Sequence, residues 1–158
     1  MKEKFLLLLL FFLPFAASLM AQIPISILKN TDMNFGTIAA SSNGGRVVLS
    51  ASGSRTASGG LILPSFTGTV TAAQFTVFGQ PAYTYAITLP ATDFVLYESG
   101  VGPASMAVTA FTSTPSATGI LTAGTQTVFV GATLNVGGSQ AAGSYINTTG
   151  FEVIVNYN

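Results

Sequence analysis

The chemistry open to this chain is narrow, because it contains neither histidine nor cysteine. Without histidine there is no side chain whose ordinary pKa makes it a general base near neutral pH, and the commonest metal ligand is missing. Without cysteine there is no thiolate, so Ser–His–Asp and Cys–His devices are excluded. A Ser–Lys pair would have to draw on Lys29, a residue near the end of the first expected strand. Asp93 and Glu98 are the carboxylates nearest in sequence in the second half. A glycosidase needs two carboxyls roughly 5 to 10 Å apart across a substrate. A spacing of five puts Asp93 and Glu98 on opposite faces of a continuous strand, and two solvated charges are the expected reading.

Asn30, Asp32 and Asn34 imitate the opening of a calcium loop. The pattern then fails, because Phe35 stands where the loop needs glycine and Ser41 where it needs a bidentate glutamate. Neither a GxxxxGK[ST] phosphate loop nor a GxGxxG fingerprint occurs. Asn147-Thr148-Thr149 matches a glycosylation sequon, a short pattern that is common by chance. Tyr83, Tyr85, Phe94 and Tyr97 cluster in sequence and could stack on a sugar, but aromatics on strands are more often core. No catalytic residue, cofactor site or metal site is expected, and the chain reads as a non-enzyme.

These residues are carried by strands. Ile23, Ile25 and Ile27 alternate with Pro24, Ser26 and Leu28. Phe75 and Val77, then Tyr83, Tyr85, Ile87 and Leu89, repeat the period of two. Val128 and Val130 begin a run that continues past Gly131 to Leu134 and Val136. Phe151, Val153, Val155 and Tyr157 give the cleanest alternation. This is the period of a half-buried strand. Gly- and Pro-bearing turns separate the runs, among them Ser42-Asn43-Gly44-Gly45, Gly79-Gln80-Pro81 and Gly137-Gly138-Ser139. The expectation is an all-β, antiparallel sandwich with one buried face per sheet.

Lys2 and Lys4, the apolar run Phe5 to Phe15 and the small residues Ala16 to Ser18 and Ala21 have the form of a secretory signal peptide. We expect a leader over residues 1–21, cut after Ala21 or, alternatively, after Ser18, and one domain over residues 22–158. Beyond the leader the charges are Lys29, Arg46 and Arg55 against Asp32, Asp93, Glu98 and Glu152. So few cations exclude a phosphate-binding surface, and no nucleic-acid partner is expected. Mean hydropathy is +0.60, so the surface must be covered by Ser, Thr, Gly and Asn. That suits a protein packed against neighbours better than a soluble monomer with a charged coat.

Three segments recur together in a recognisable order. They are Met33-Asn34-Phe35-Gly36-Thr37-Ile38, then Thr118-Gly119-Ile120-Leu121 with Phe129 to Val136, then Gln140 to Tyr145 with Phe151 to Asn158. The chain thereby resembles the bacterial domain-of-unknown-function family numbered 4402. Its Asn-Phe-Gly-Thr element and its ending are also similar to pilin-like and spore-coat-protein-U-like subunits. The resemblance implies an immunoglobulin-like sandwich and a structural role outside the cell, with no activity. It makes Asn34, Phe35, Gly36, Gly131, Gly143, Tyr145 and Tyr157 architectural residues.

Three functions follow as expectations. The first is an exported cell-surface subunit of a Gram-negative-type bacterium, in the periplasm, on the outer surface or outside the cell. It would assemble with copies of itself or other surface subunits by strand addition, with Ile23, Ile25 and Ile27 as the candidate donor or simply as the first strand of their own domain. The second is an adhesin or glycan-binding module using loops such as 97–103. The third is a small outer-membrane β-barrel, for which many runs are short. No small-molecule substrate is identified.

Overall fold

The computed structural model describes residues 21–158, so the expected leader lies outside the described residues except for Ala21. The fold is all-β and antiparallel. Eleven strands are β1 (Ser26–Thr31), β2 (Ala39–Leu49), β3 (Arg55–Ile62), β4 (Ala73–Phe78), β5 (Thr84–Thr88), β6 (Phe94–Glu98), β7 (Ser105–Thr114), β8 (Thr118–Ile120), β9 (Thr125–Val136), β10 (Tyr145–Ile146) and β11 (Ile154–Tyr157). The large sheet runs β1-β4-β9-β7-β6-β10, with β2 also paired to β9 and β3 to β2. The small sheet runs β11-β5-β8.

β9 organises both layers. On one edge, Thr125 to Val130 pair with β4, and Ala132 to Val136 pair with β2. On the other edge β9 pairs with β7. Val128, Val130, Ala132, Leu134 and Val136 stay on the buried side throughout. Gly131 is where the lane changes. A Cβ there would overlap the Leu49 carbonyl oxygen and crowd Ser50 and Ala51, where β2 leaves the sheet. The expected glycine is therefore required by close backbone approach.

The alternation sorts the rest. Phe75, Val77, Val128 and Val130 from the large sheet face Tyr85, Ile87, Val153 and Val155 from the small one, and Leu121 seals one side. This is the interior of a sandwich, compatible with the expected immunoglobulin-like form. A second cluster holds Phe35, Val47, Leu49, Leu61, Val108, Ala132, Leu134 and Val136. The small sheet does not contribute to it. Phe111 and Met33 pack on both clusters. β7 reaches both because one extra residue between Thr109 and Thr112, with Ala110 at φ +49°, reverses its phase. Val108 before the bulge and Phe111 after it thus point the same way.

Tyr85 is fully buried, and its hydroxyl donates to Gln126 Oε1 at 2.8 Å. Burial pushes its phenol above the ordinary value near 10. The folded chain therefore holds a proton that the unfolded chain releases, and stability falls as pH rises through that value. Comparing wild type with Tyr85→Phe by urea denaturation between about pH 9 and 11 should show a shallower alkaline loss in the variant. Gly131→Ala should lower stability by about 1–3 kcal/mol at pH 7, read as a shifted denaturation midpoint with an unchanged slope.

Candidate functional site

The segment after β1 is tied down on one side only. Asn34 and Thr71 exchange backbone hydrogen bonds of 2.8 and 3.0 Å, and the Thr37 amide donates to Thr67 O at 2.6 Å. The Asn34 side chain accepts from the Gly36 amide at 2.8 Å, a local Asx turn that places Phe35 in the core. Gly36 has φ +69°, and a Cβ there would strike the Thr67 carbonyl oxygen and Val70. Arg55 donates through Nη1 to the Phe35 carbonyl and, at 3.0 Å, to the Thr37 carbonyl. The guanidinium thus clamps the turn from behind, while its Nη2 is buried without a partner. The Asn-Phe-Gly-Thr element is a rigid wall, built by this clamp and by glycine's left-handed backbone.

Opposite this wall stands Gly143 to Asn147. Tyr145 and Ile146 pair with Glu98 and Tyr97 of β6, and no strand flanks β10 on its other side. Tyr145 donates its hydroxyl to Ala141 O at 2.8 Å and accepts from Gln140 Nε2 at 2.8 Å, which fixes the turn leading into it. Gly143 leaves room for the Glu98 carboxylate, 2.9 Å from where a Cβ would sit. Past Tyr97 the outer edge of β6 has no strand beside it. The Asn147 side chain donates to Val95 O there at 2.7 Å in place of a neighbouring backbone.

Between the two walls lies an open cleft of about 590 Å³. Its floor is Phe94 and Leu96 of β6, Met106 and Val108 of β7, and Leu134 of β9. Phe151 closes one end, its ring 5.9 Å from Phe94, 5.0 Å from Phe111 and 6.1 Å from Phe75. This is the half of the sandwich that the small sheet does not cover. Its walls are backbone and its floor is apolar, the geometry that accepts an extended peptide.

Asn34, Phe35, Gly36, Gly143 and Tyr145, five of the residues singled out by the motifs, all line this cleft. Each is held by a contact that shapes a wall or its approach. A family model described as a domain of unknown function, DUF4402, matches residues 25–157. The chain belongs to the DUF4402 family. No curated protein and no solved structure matches it.

The remaining motif residues of this DUF4402 chain lie elsewhere. Gly131 serves the β9 lane change. Tyr157 sits at the joined termini, donating its hydroxyl to Ile23 O at 2.6 Å and accepting from the Gln80 amide at 2.6 Å. Its ring packs on Tyr83 at 5.6 Å. Ile25 and Ile27 pack on the first core cluster, and β1 is paired along β4 from Ser26 to Thr31. Ile23 is exposed. Ser26 to Leu28 thus belong to an edge strand of their own sheet, and Ile23 to Ile25 lead into it with the Ile23 carbonyl held by Tyr157.

The residues weighed for chemistry stay apart. Asn30 Oδ1 accepts from Thr76 Oγ1, Asp32 pairs with Lys29 at 2.6 Å, and Asn34 is spent on its own turn, so the three do not converge. Among the described residues no group of three or more acidic side chains could hold a metal ion. Asp93 lies just before β6 and Glu98 at its end. The fold instead brings Asp93 and Glu152 to one small cavity of about 300 Å³ that shares Phe94, Gly150 and Phe151 with the cleft. No sequence spacing signals that pairing, because residues 59 positions apart meet only through the sandwich. Removing the terminal lock by Tyr157→Phe should cost about 1–3 kcal/mol. It should also speed amide exchange in β1 more than in β9, as read by hydrogen exchange.

Proposed function

We propose that this protein is a non-enzymatic, exported structural subunit of the cell surface, joined to its neighbours by strand addition. The cleft carries this reading. An apolar floor of β6, β7 and β9 side chains lies open between two backbone walls, and the β6 edge beside it ends without a strand partner. An extended segment inserted there would cover side chains of the floor and could add main-chain hydrogen bonds along the outer side of β10, which has no strand beside it. Burial yields about 25 cal/mol per Å² of apolar surface, and the half-buried Phe94, Leu96 and Met106 are the floor residues with surface left to cover. The low charge of the chain and the likeness of its motifs to pilin-like subunits support the same reading, and the form of its first residues supports export.

The two other readings have less behind them. A sugar platform needs coplanar exposed aromatics. Tyr85 is buried, Phe94 packs on Phe151 and Tyr83 packs on Tyr157, which leaves Tyr97 alone. A transmembrane barrel must close on itself and turn its apolar residues outward. The large sheet ends at β1 and β10, and the alternating apolar residues point into the core.

Size-exclusion chromatography with light scattering, followed by negative-stain electron microscopy of the exported protein, tests the proposal. Ordered oligomers or filaments are expected. They should be lost in Leu96→Asp, which sets a charge on the cleft floor. A stable monomer at high concentration, with wild type and variant alike, would sink self-assembly.

A further inference from the structure

The cleft has a counterpart on the same molecule. Phe66 is 93% exposed and Ile62 is 68% exposed, and both belong to Ile62-Leu63-Pro64-Ser65-Phe66, the chain that runs on from β3. Two large apolar side chains left bare within five residues make a local patch rather than a single exposed residue. Pro64 biases Leu63 toward extended backbone, Leu63 packs on the second core cluster, and the chain bends at Ser65. Leu63 thus anchors the segment inward and leaves Ile62 and Phe66 on the surface at its two ends. β3 itself is paired only to β2, so the segment continues a free sheet edge.

Charge separates the two surfaces. Residues 39–72 contain Arg46 and Arg55 and no acidic side chain. Residues 73–158 contain Asp93, Glu98 and Glu152 and neither lysine nor arginine. The acidic group surrounds the cleft: Glu98 packs on the Gly143 wall, and Asp93 and Glu152 line the adjoining cavity. Asp32, on the cleft itself, is already paired with Lys29. Arg46 is exposed on β2, in register with Ser58 of β3. Arg55 is spent behind the cleft wall, so the cation that the β2–β3 limb presents to solvent is Arg46, while Asp93, Glu98 and Glu152 stand around the cleft.

We propose that the occupant of the cleft is the Ile62–Phe66 segment of a second copy of this chain, a deepening that rests on the strand-addition reading above. Ile62 and Phe66 enter as the apolar side chains over the β6–β7–β9 floor, and Arg46 of the donor approaches the carboxylates around the acceptor. Donor and acceptor are different patches, so the contact is head-to-tail and repeats into a ring or an open filament. β1 then stays in its own sheet, as Tyr157 holds it.

The absence of cysteine makes the test clean. Single variants Phe66→Cys and Ile146→Cys of the exported protein are mixed under mild oxidation. Both positions are solvent-exposed, so the fold is retained, and circular dichroism verifies it. A mixed disulfide should form at least ~10-fold faster than between Ile146→Cys and Val101→Cys, a control that is 91% exposed. The double variant Ile62→Ser/Phe66→Ser should lose assembly at an unchanged Tm. Equal rates for Phe66 and Val101 would overturn this donor. Preferential cross-linking of Ile23→Cys to Ile146→Cys would also overturn it while keeping strand addition. A wild-type monomer with no pair above control would overturn both.

Discussion

The whole structure depends on one strand serving two neighbours in succession. β9 has to pair with β4 over its first half and β2 over its second while keeping every other side chain buried. That demand is met at Gly131, where the β2 backbone passes through the space a Cβ would take. Below that point the small sheet covers the interior. Above it the cover is the turn around Phe35, clamped by Arg55, together with Leu63 and Val70 from the segment after β3. The open cleft follows from this division: the sheet continues, but the opposing layer does not.

The turn is stiff enough to hold a cleft open because its polar groups are used locally. The Asn34 amide, carbonyl and side chain, the amides of Gly36 and Thr37 and the carbonyls of Phe35 and Thr37 all have partners behind or within the wall. The half-buried Arg55 guanidinium makes its two hydrogen bonds through Nη1 to backbone carbonyls, while its Nη2 is left without a partner. The opposite wall relies on the paired Tyr145 hydroxyl and on Asn147, whose side chain caps the β6 edge. Both walls are therefore shaped by contacts within the chain.

Much of this was legible in sequence. The period of two at Tyr85–Ile87, Val128–Val130 and Val153–Val155 named core residues that the fold buries. The family resemblance makes Gly36 and Gly131 architectural positions, and the fold shows another backbone passing close to each. Asn30 and Asp32, which open the failed calcium pattern, lie in and just after β1, and the turn falls at Asn34 to Gly36, beside the cleft. What could not be read was which strands meet. Ile23 to Leu28 has the pattern of a donor and of a first strand alike, because alternation does not say whose sheet it joins. Phe66 carries no periodic signal, and only its exposure in the fold distinguishes it from core.

By itself the sequence determined the absence of thiol and imidazole chemistry, the strand period, the antiparallel all-β class and the segregation of its few charges. Those are properties of residue type and spacing, which the chain carries before it folds. Tertiary structure decided the lane change of β9, the half-covered large sheet, the meeting of Asp93 with Glu152 and the juxtaposition of residues 33–38 with 143–147. Each depends on pairing between residues far apart in the chain, and long-range register is set by the packing of the whole sandwich rather than by any local stretch.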